Sequence, residues 1–199
     1  MRKLIIIIIL IASMLFVSCS GVKGKDIWKQ LYIDYINEII KNYEGDYNTY
    51  TLIFVNDDDI PELIMDDIQG NSEICIILDG KIETTMLWRY HQYEFSYLER
   101  RGAFIVSEPQ MDSYYDEIYG VENNKIVLIH YGVCEYNTTY NADEDDYDCD
   151  YTYSFDNIEV SESEYSQKLN AAYDFSKAKE LDEKDFYSGR EMIEIINKY

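Results

Sequence analysis

The sequence predicts an α+β fold, an antiparallel β-meander with an N-terminal helix and C-terminal helices packed on the sheet, and three features carry that prediction. From Asp26 to Tyr43, apolar residues recur at helical spacing. Between Thr51 and Val160, short β-branched and aromatic runs are separated by pairs such as Asp79-Gly80 and Asp156-Asn157. These pairs suit two-residue hairpins, which join strands antiparallel. Beyond Val160, Ser161-x-x-Glu164 and Ser188-x-x-Glu191 read as capping boxes opening helices. Helices on either side of a run of strands pack against one face or end of the sheet.

In chain order, Met1-Arg2-Lys3 is a basic head and Leu4 to Phe16 an uncharged apolar run. That is the form of a secretory signal peptide, and it is shorter than the ~20 apolar residues of a membrane span. The run leaves through Phe16-Val17-Ser18-Cys19, which resembles the box of bacterial lipoproteins, where a small residue precedes an obligatory cysteine. Phe16 stands where that box usually carries Leu. The resemblance implies cleavage before Cys19, lipidation of Cys19 by a diacylglyceryl group with palmitate-type chains, and anchoring at the extracytoplasmic face of the cell membrane. Two or more acyl chains hold stably where one is marginal. The chain thus divides into a signal peptide (1–18), a tether (19–25) and a single α+β extracytoplasmic domain (26–199).

Formal charge is −22, and removal of Arg2 and Lys3 with the signal deepens it to −24. Such a field excludes nucleic acid as a partner and favours solubility, cations and basic partners. Tyrosine is abundant, 21 of 199 residues. With its apolar ring and polar tip it suits a half-buried sheet with one face free to bind a ligand.

The helix over Asp26 to Tyr43 presents Trp28, Leu31, Tyr32, Tyr35, Ile36, Ile39, Ile40 and Tyr43, with Asp26 as N-cap and Gly45 as stop. Lys29 and Lys41 do not make the basic face of a membrane-surface helix, so packing on a sheet is expected. Strands are expected at Thr51–Val55, Glu62–Met65, Glu73–Leu78, Lys81–Trp88, Gly102–Val106, Tyr114–Val121, Lys125–Val133, Tyr151–Phe155 and Ile158–Val160, with a further hairpin at Asn123-Asn124. Cys75 lies in an apolar run and reads as core. Cys134 and Cys149 flank an acidic loop and could pair, while the absence of C-x-x-C spacing disfavours zinc.

The strongest local signal is the acidic turn Asn56-Asp57-Asp58-Asp59-Ile60-Pro61-Glu62-Leu63. Closely spaced Asn and Asp oxygens suit a hard cation, which needs several oxygen ligands from one segment. The turn is similar to the metal loops of secreted propeller repeats, roughly D-x-[DN]-x-D-G-x-x-[DE]-L. That resemblance places Asn56, Asp58 and Glu62 at ligand positions for calcium, with the Ile60 carbonyl as a fourth. Phe54 stands in place of the first Asp and Asp59 in place of the Gly, so one ligand and an easy positive φ are missing. The same residues also build an Asx-rich turn without any ion. No cofactor other than this possible calcium is expected. A second cluster, Asp143 to Asp150, fits no EF-hand register and reads as a solvated loop.

For catalysis the inventory is thin. No G-x-S-x-G, H-E-x-x-H, P-loop or G-x-G-x-x-G occurs, and His91 and His130 read as sheet residues. Ile53-Phe54-Val55-Asn56-Asp57-Asp58-Asp59-Ile60-Pro61-Glu62-Leu63 and the run Val160 to Asp174 resemble a family of lipoproteins from anaerobic, gut-dwelling Gram-positive (Clostridia-type) bacteria. That resemblance implies a secreted single domain and no established activity. The expectation is a membrane-anchored, non-catalytic binding module for an extracellular or envelope ligand. A secreted hydrolase with a carboxylate pair and a structural envelope component are the alternatives.

Overall fold

The computed structural model describes residues 26–89, 94–122, 125–141 and 146–199. The signal peptide, Cys19, the tether, His91, the turn at Asn123-Asn124 and the acidic residues 143–145 lie outside them.

Helix α1 (Ile27–Asn42) buries Trp28, Tyr32 and Ile36, one turn apart on a single stripe. Asp26 stands at its N-cap position without a side-chain capping bond and instead pairs with Lys29 at 3.1 Å. At the other end the left-handed residue is Glu44 (φ 54°) rather than Gly45. The Gly45 and Glu44 N–H groups donate to the Ile40 and Lys41 carbonyls at 3.0 and 3.4 Å, a Schellman closure. A Cβ at Gly45 would sit 2.2 Å from the exposed Tyr47 ring, which would have to swing aside.

Two antiparallel sheets follow. The first is ordered β12 (Tyr187–Ser188), β1 (Thr49–Ile53), β2 (Glu62–Asp66), β3 (Asn71–Leu78), β4 (Lys81–Arg89). The second is ordered β10 (Ile158–Val160), β9 (Asp146–Phe155), β8 (Lys125–Asn141), β7 (Ser113–Glu122), β6 (Ala103–Gln110), β5 (Glu94–Leu98), β11 (Lys179–Glu180). The expected meander is present, divided between two sheets. Asp79-Gly80 and Asp156-Asn157 take positive φ at both positions, as two-residue hairpins require.

Layering follows from strand alternation. On β2, Leu63 and Met65 join Trp28, Tyr32, Ile36, Tyr50 and Cys75 beneath α1 and the C-terminal helix α3 (Gly189–Lys198), which adds Met192 and Ile196. Ile64 points the other way, with Ile53, Val55, Ile74 and Leu87, onto Phe95, Phe104 and Val106 of the second sheet. A strand buried on both faces explains the unbroken apolar run of β2. Helix α2 (Glu162–Ala172) covers the outer face of the second sheet, where Leu169 and Ala172 pack with Leu98, Ile105, Ile118 and Tyr173. Both capping boxes form, at Ser161/Glu164 and Ser188/Glu191. Among the described residues no helix is long and apolar enough to cross a membrane.

Two expectations need correction. The acidic cluster is not all loop, because Asp146 to Asp150 belong to β9 and pair with Asn137 to Asn141. Each aspartate faces a neutral partner across the ladder (Asn141, Thr139, Asn137), so no like charges are set directly opposite. The same register keeps Cys134 and Cys149 apart. Cys149 lies opposite Thr138, four residues along β8 from Cys134 or roughly 13 Å, and both thiols are free.

Candidate binding surface

The acidic turn is a joint between the two sheets. Asn56 Oδ1 accepts from the Asp58 N–H at 2.9 Å, and Asp58 Oδ1 accepts from the Ile60 N–H at 2.8 Å, two successive Asx turns. Glu62, 2% exposed, folds back so that Oε2 accepts from the Val55 N–H at 2.7 Å. Burial pushes its carboxyl up to about 7 against that bond and others from the backbone. From the second sheet, Gly102 N–H donates to the Val55 carbonyl at 2.7 Å and Arg100 N–H to the Phe54 carbonyl at 2.9 Å. Asn56, Asp58 and Glu62, the side chains expected to hold calcium, therefore each accept a backbone N–H through one oxygen. Among the described residues no group of three or more His, Cys, Asp or Glu converges to hold a metal.

The open tyrosine surface lies at the other end of the second sheet. Its inner face alternates Tyr115, Glu117, Tyr119 and Val121 along β7, with Val106 and Glu108 on β6 and Tyr131, Val133 and Glu135 on β8. Tyr119 and Val121 pack into the inter-sheet core, whereas Tyr115 and Tyr131 lie past it and remain half-exposed. A β-bulge decides this arrangement. Ile118 faces His130 but Tyr119 faces Leu128, so Ile129 is the extra residue and the pleat of β8 inverts there. Ile126 and Tyr131 thereby share a face, and Gly120 admits the Ile129 side chain, which would approach a Cβ to 2.3 Å.

Tyr131 faces Glu117 across the ladder and Tyr115 diagonally, and the two tyrosine rings stack with centroids 5.9 Å apart at 28°. Beside them runs a groove of about 590 Å³ whose lining includes Val133, Glu135, Thr152, Ser154 and Glu159 and, among the described residues, no lysine or arginine. Tyr119 donates to Glu117 Oε2 at 2.6 Å. Burial pushes the Tyr131 phenol up, helped by Tyr115, Glu117, Glu108 and Glu135. Burial likewise raises Glu108 to about 7, with Glu117 adding to the rise and a bond from Gln110 opposing it. Glu62 and Glu108 do not converge on one pocket. Glu62 binds Val55, which meets Gly102 at the start of β6, and Glu108 is six residues farther along, roughly 20 Å.

On the outer face, Tyr165 of α2 passes over Gly132, where a Cβ would stand 2.5 Å from its hydroxyl, and donates to Asp116 Oδ2 at 2.6 Å. Ser107 donates to the other oxygen of this buried carboxylate at 2.5 Å. His130 bonds Asp156 through Nδ1 at 2.9 Å and packs on the Phe155 ring, a partnered sheet residue as expected. Burial tends to raise Asp156, but the bonds to His130 and the Tyr131 N–H, with the charges of His130 and Lys168, together outweigh it and the carboxyl is lowered. Cys75 is buried in the core as expected, its thiol pushed up to about 12 by burial.

Sequence reasoning anticipated a tyrosine-bearing sheet face but not its members. The spacing Tyr115-x-Glu117-x-Tyr119 marks one face of β7, whereas the juxtaposition with Tyr131 depends on the bulge. Comparison with family models, curated proteins and solved structures gives no match for this chain.

Proposed function

We propose that this chain is an extracytoplasmic lipoprotein, anchored through Cys19, whose domain is a non-catalytic binding module using the Tyr115–Tyr131 face. The observation that carries this reading is the stacked tyrosine pair on sheet surface beyond the inter-sheet core, bordered by a carboxylate-lined groove. Aromatic side chains that are rigid and half-exposed supply contact area at low entropic cost and dominate binding surfaces. The acidic turn is assigned to architecture, because Asn56, Asp58 and Glu62 each accept a backbone N–H of the turn itself and the carbonyls of Phe54 and Val55 beside it accept from the second sheet.

The test immobilises the full-length chain against arrayed soluble glycans and peptides, beside a Tyr115→Ala/Tyr131→Ala variant. Ligands retained by the wild type and lost from the variant support the reading. Equal capture by both chains contradicts it. The anchor is tested by metabolic labelling with a palmitate analogue, which Cys19→Ser abolishes.

A further inference from the structure

Resting on that reading, we infer that the ligand of this face is an extended basic segment of a partner protein, with alternate lysines or arginines, laid along the free edge of β9. Three observations converge on it.

The edge opens at the end of the groove away from the tyrosines, because at the level of Tyr115 the ladder runs through Val133 and Ser154 to Glu159 and β10 covers β9. β10 pairs only with Tyr153 to Phe155, so from Thr152 back to Asp146 the outer side of β9 has no neighbour among the described residues. Where β10 gives out, a notch of about 560 Å³ opens, lined by Tyr151, Thr152, Glu159 and Glu162 among others and, among the described residues, by no basic one. An unpaired strand edge offers backbone donors and acceptors to an extended peptide, and pockets at every second position supply the selectivity.

Charge decides the chemistry of the occupant. Glu117, Glu135 and Glu159 lie along one face of the sheet, and among the described residues no cation lines the groove. Like charges gathered on one surface repel, and a cation relieves that repulsion. The Tyr115 and Tyr131 rings add an electron-rich platform that attracts a desolvated ammonium or guanidinium. The acidic edge also repels a second copy of this chain, which is how natural edge strands avoid self-pairing. Since side chains of an added strand alternate between faces, every second residue of the segment stands on the groove's side of the sheet, and the one set beside Thr152 enters the groove.

The test titrates the full-length chain in detergent micelles with two isomeric octapeptides of equal charge, both acetylated and amidated, by calorimetry. In one probe lysine and threonine alternate, and in its block isomer all the lysines precede all the threonines. The alternating peptide is expected to bind one-to-one and roughly tenfold tighter than the block isomer. Tyr131→Ala and Glu159→Lys each weaken it by about tenfold, while Glu83→Gln, on exposed β4 of the other sheet, changes it less than twofold. Glu159 is exposed, so its replacement leaves the fold intact. Equal binding of the isomers, or an equal loss in Glu83→Gln, means diffuse attraction to the net charge and overturns the inference. Neutral glycans retained by the wild type and lost from Tyr115→Ala/Tyr131→Ala, without any preference for the alternating peptide, also overturn it while leaving the binding-module reading in place.

Discussion

Arg100 and Asp58, 42 residues apart in the chain, are joined by a hydrogen bond from Arg100 Nη1 to the Asp58 carbonyl at 2.9 Å. The same guanidinium lies 4.4 Å from the centroid of the Phe54 ring. One side chain from the β5–β6 turn of the second sheet thus holds the acidic turn of the first.

If that clamp fixes the turn, Arg100→Ala lowers stability by about 1–2 kcal/mol, the sum of one partly exposed charge-assisted bond and one cation–π contact. Arg100→Lys recovers part of it. Thermal melts of the full-length chain measure both. In the same assay calcium is expected to act as magnesium does at equal ionic strength, as a screening counterion. A site ion at 100 times its dissociation constant would instead add about 2.7 kcal/mol. A saturable, calcium-selective rise in Tm that vanishes in Asp58→Asn would make Asn56, Asp58 and Glu62 a metal site.

Glu62 sets a pH dependence. Its carboxyl is raised by burial from the ordinary 4.5 to about 7, so the folded chain holds a proton that the unfolded chain releases. The associated stability is fully present below about pH 4.5 and is lost as pH rises through about 7, for about 3 kcal/mol in all. Glu108, raised in the same direction to about 7, adds to the slope. Glu62→Gln keeps an acceptor for the Val55 N–H and removes the titration. Its stability relative to wild type therefore improves from pH 4.5 to 7 in denaturant melts. Parallel pH curves for the two chains would contradict the assignment.

Tyr165 and Gly132 form a matched pair beneath α2. Tyr165→Phe leaves one oxygen of buried Asp116 without its donor, a loss of about 1–3 kcal/mol. Gly132→Ala forces the ring away and loses the same bond by a different route, so the double variant is less destabilised than the two losses added together. Strict additivity in chemical denaturation would show that the two residues act separately.

These relationships differ in how far they could be read beforehand. Helix α1, the hairpins at Asp79-Gly80 and Asp156-Asn157 and the capping boxes at Ser161 and Ser188 were legible, because each is written in residues within a few positions of one another. The division into two sheets was not, since which strand neighbours which is a long-range matter that hairpin signals leave open. β11 and β12 were missed because each is two residues long and pairs with a distant strand, Lys179 with Tyr97 and Tyr187 with Tyr50; β5, five residues joined to β6 by a short turn, was missed as well. Pro109 hides the length of β6. Among the described residues β5 pairs only as far as Ser107, so none of them loses a ladder bond to Pro109. The candidate surface depends on one inserted residue, Ile129. Without that bulge Tyr131 and Ile126 would lie on opposite faces, and no local pattern announces a one-residue slip.

The central claim, that the Tyr115–Tyr131 face meets the ligand, is tested most directly by site-specific photo-cross-linking in living cells. A benzoylphenylalanine replaces Thr152, exposed beside the groove, or Ser163, exposed on α2 across the sheet. The account predicts a discrete adduct from position 152 that Tyr131→Ala removes, and none from position 163. An adduct from 163 but not 152, or a 152 adduct indifferent to Tyr131→Ala, would contradict it.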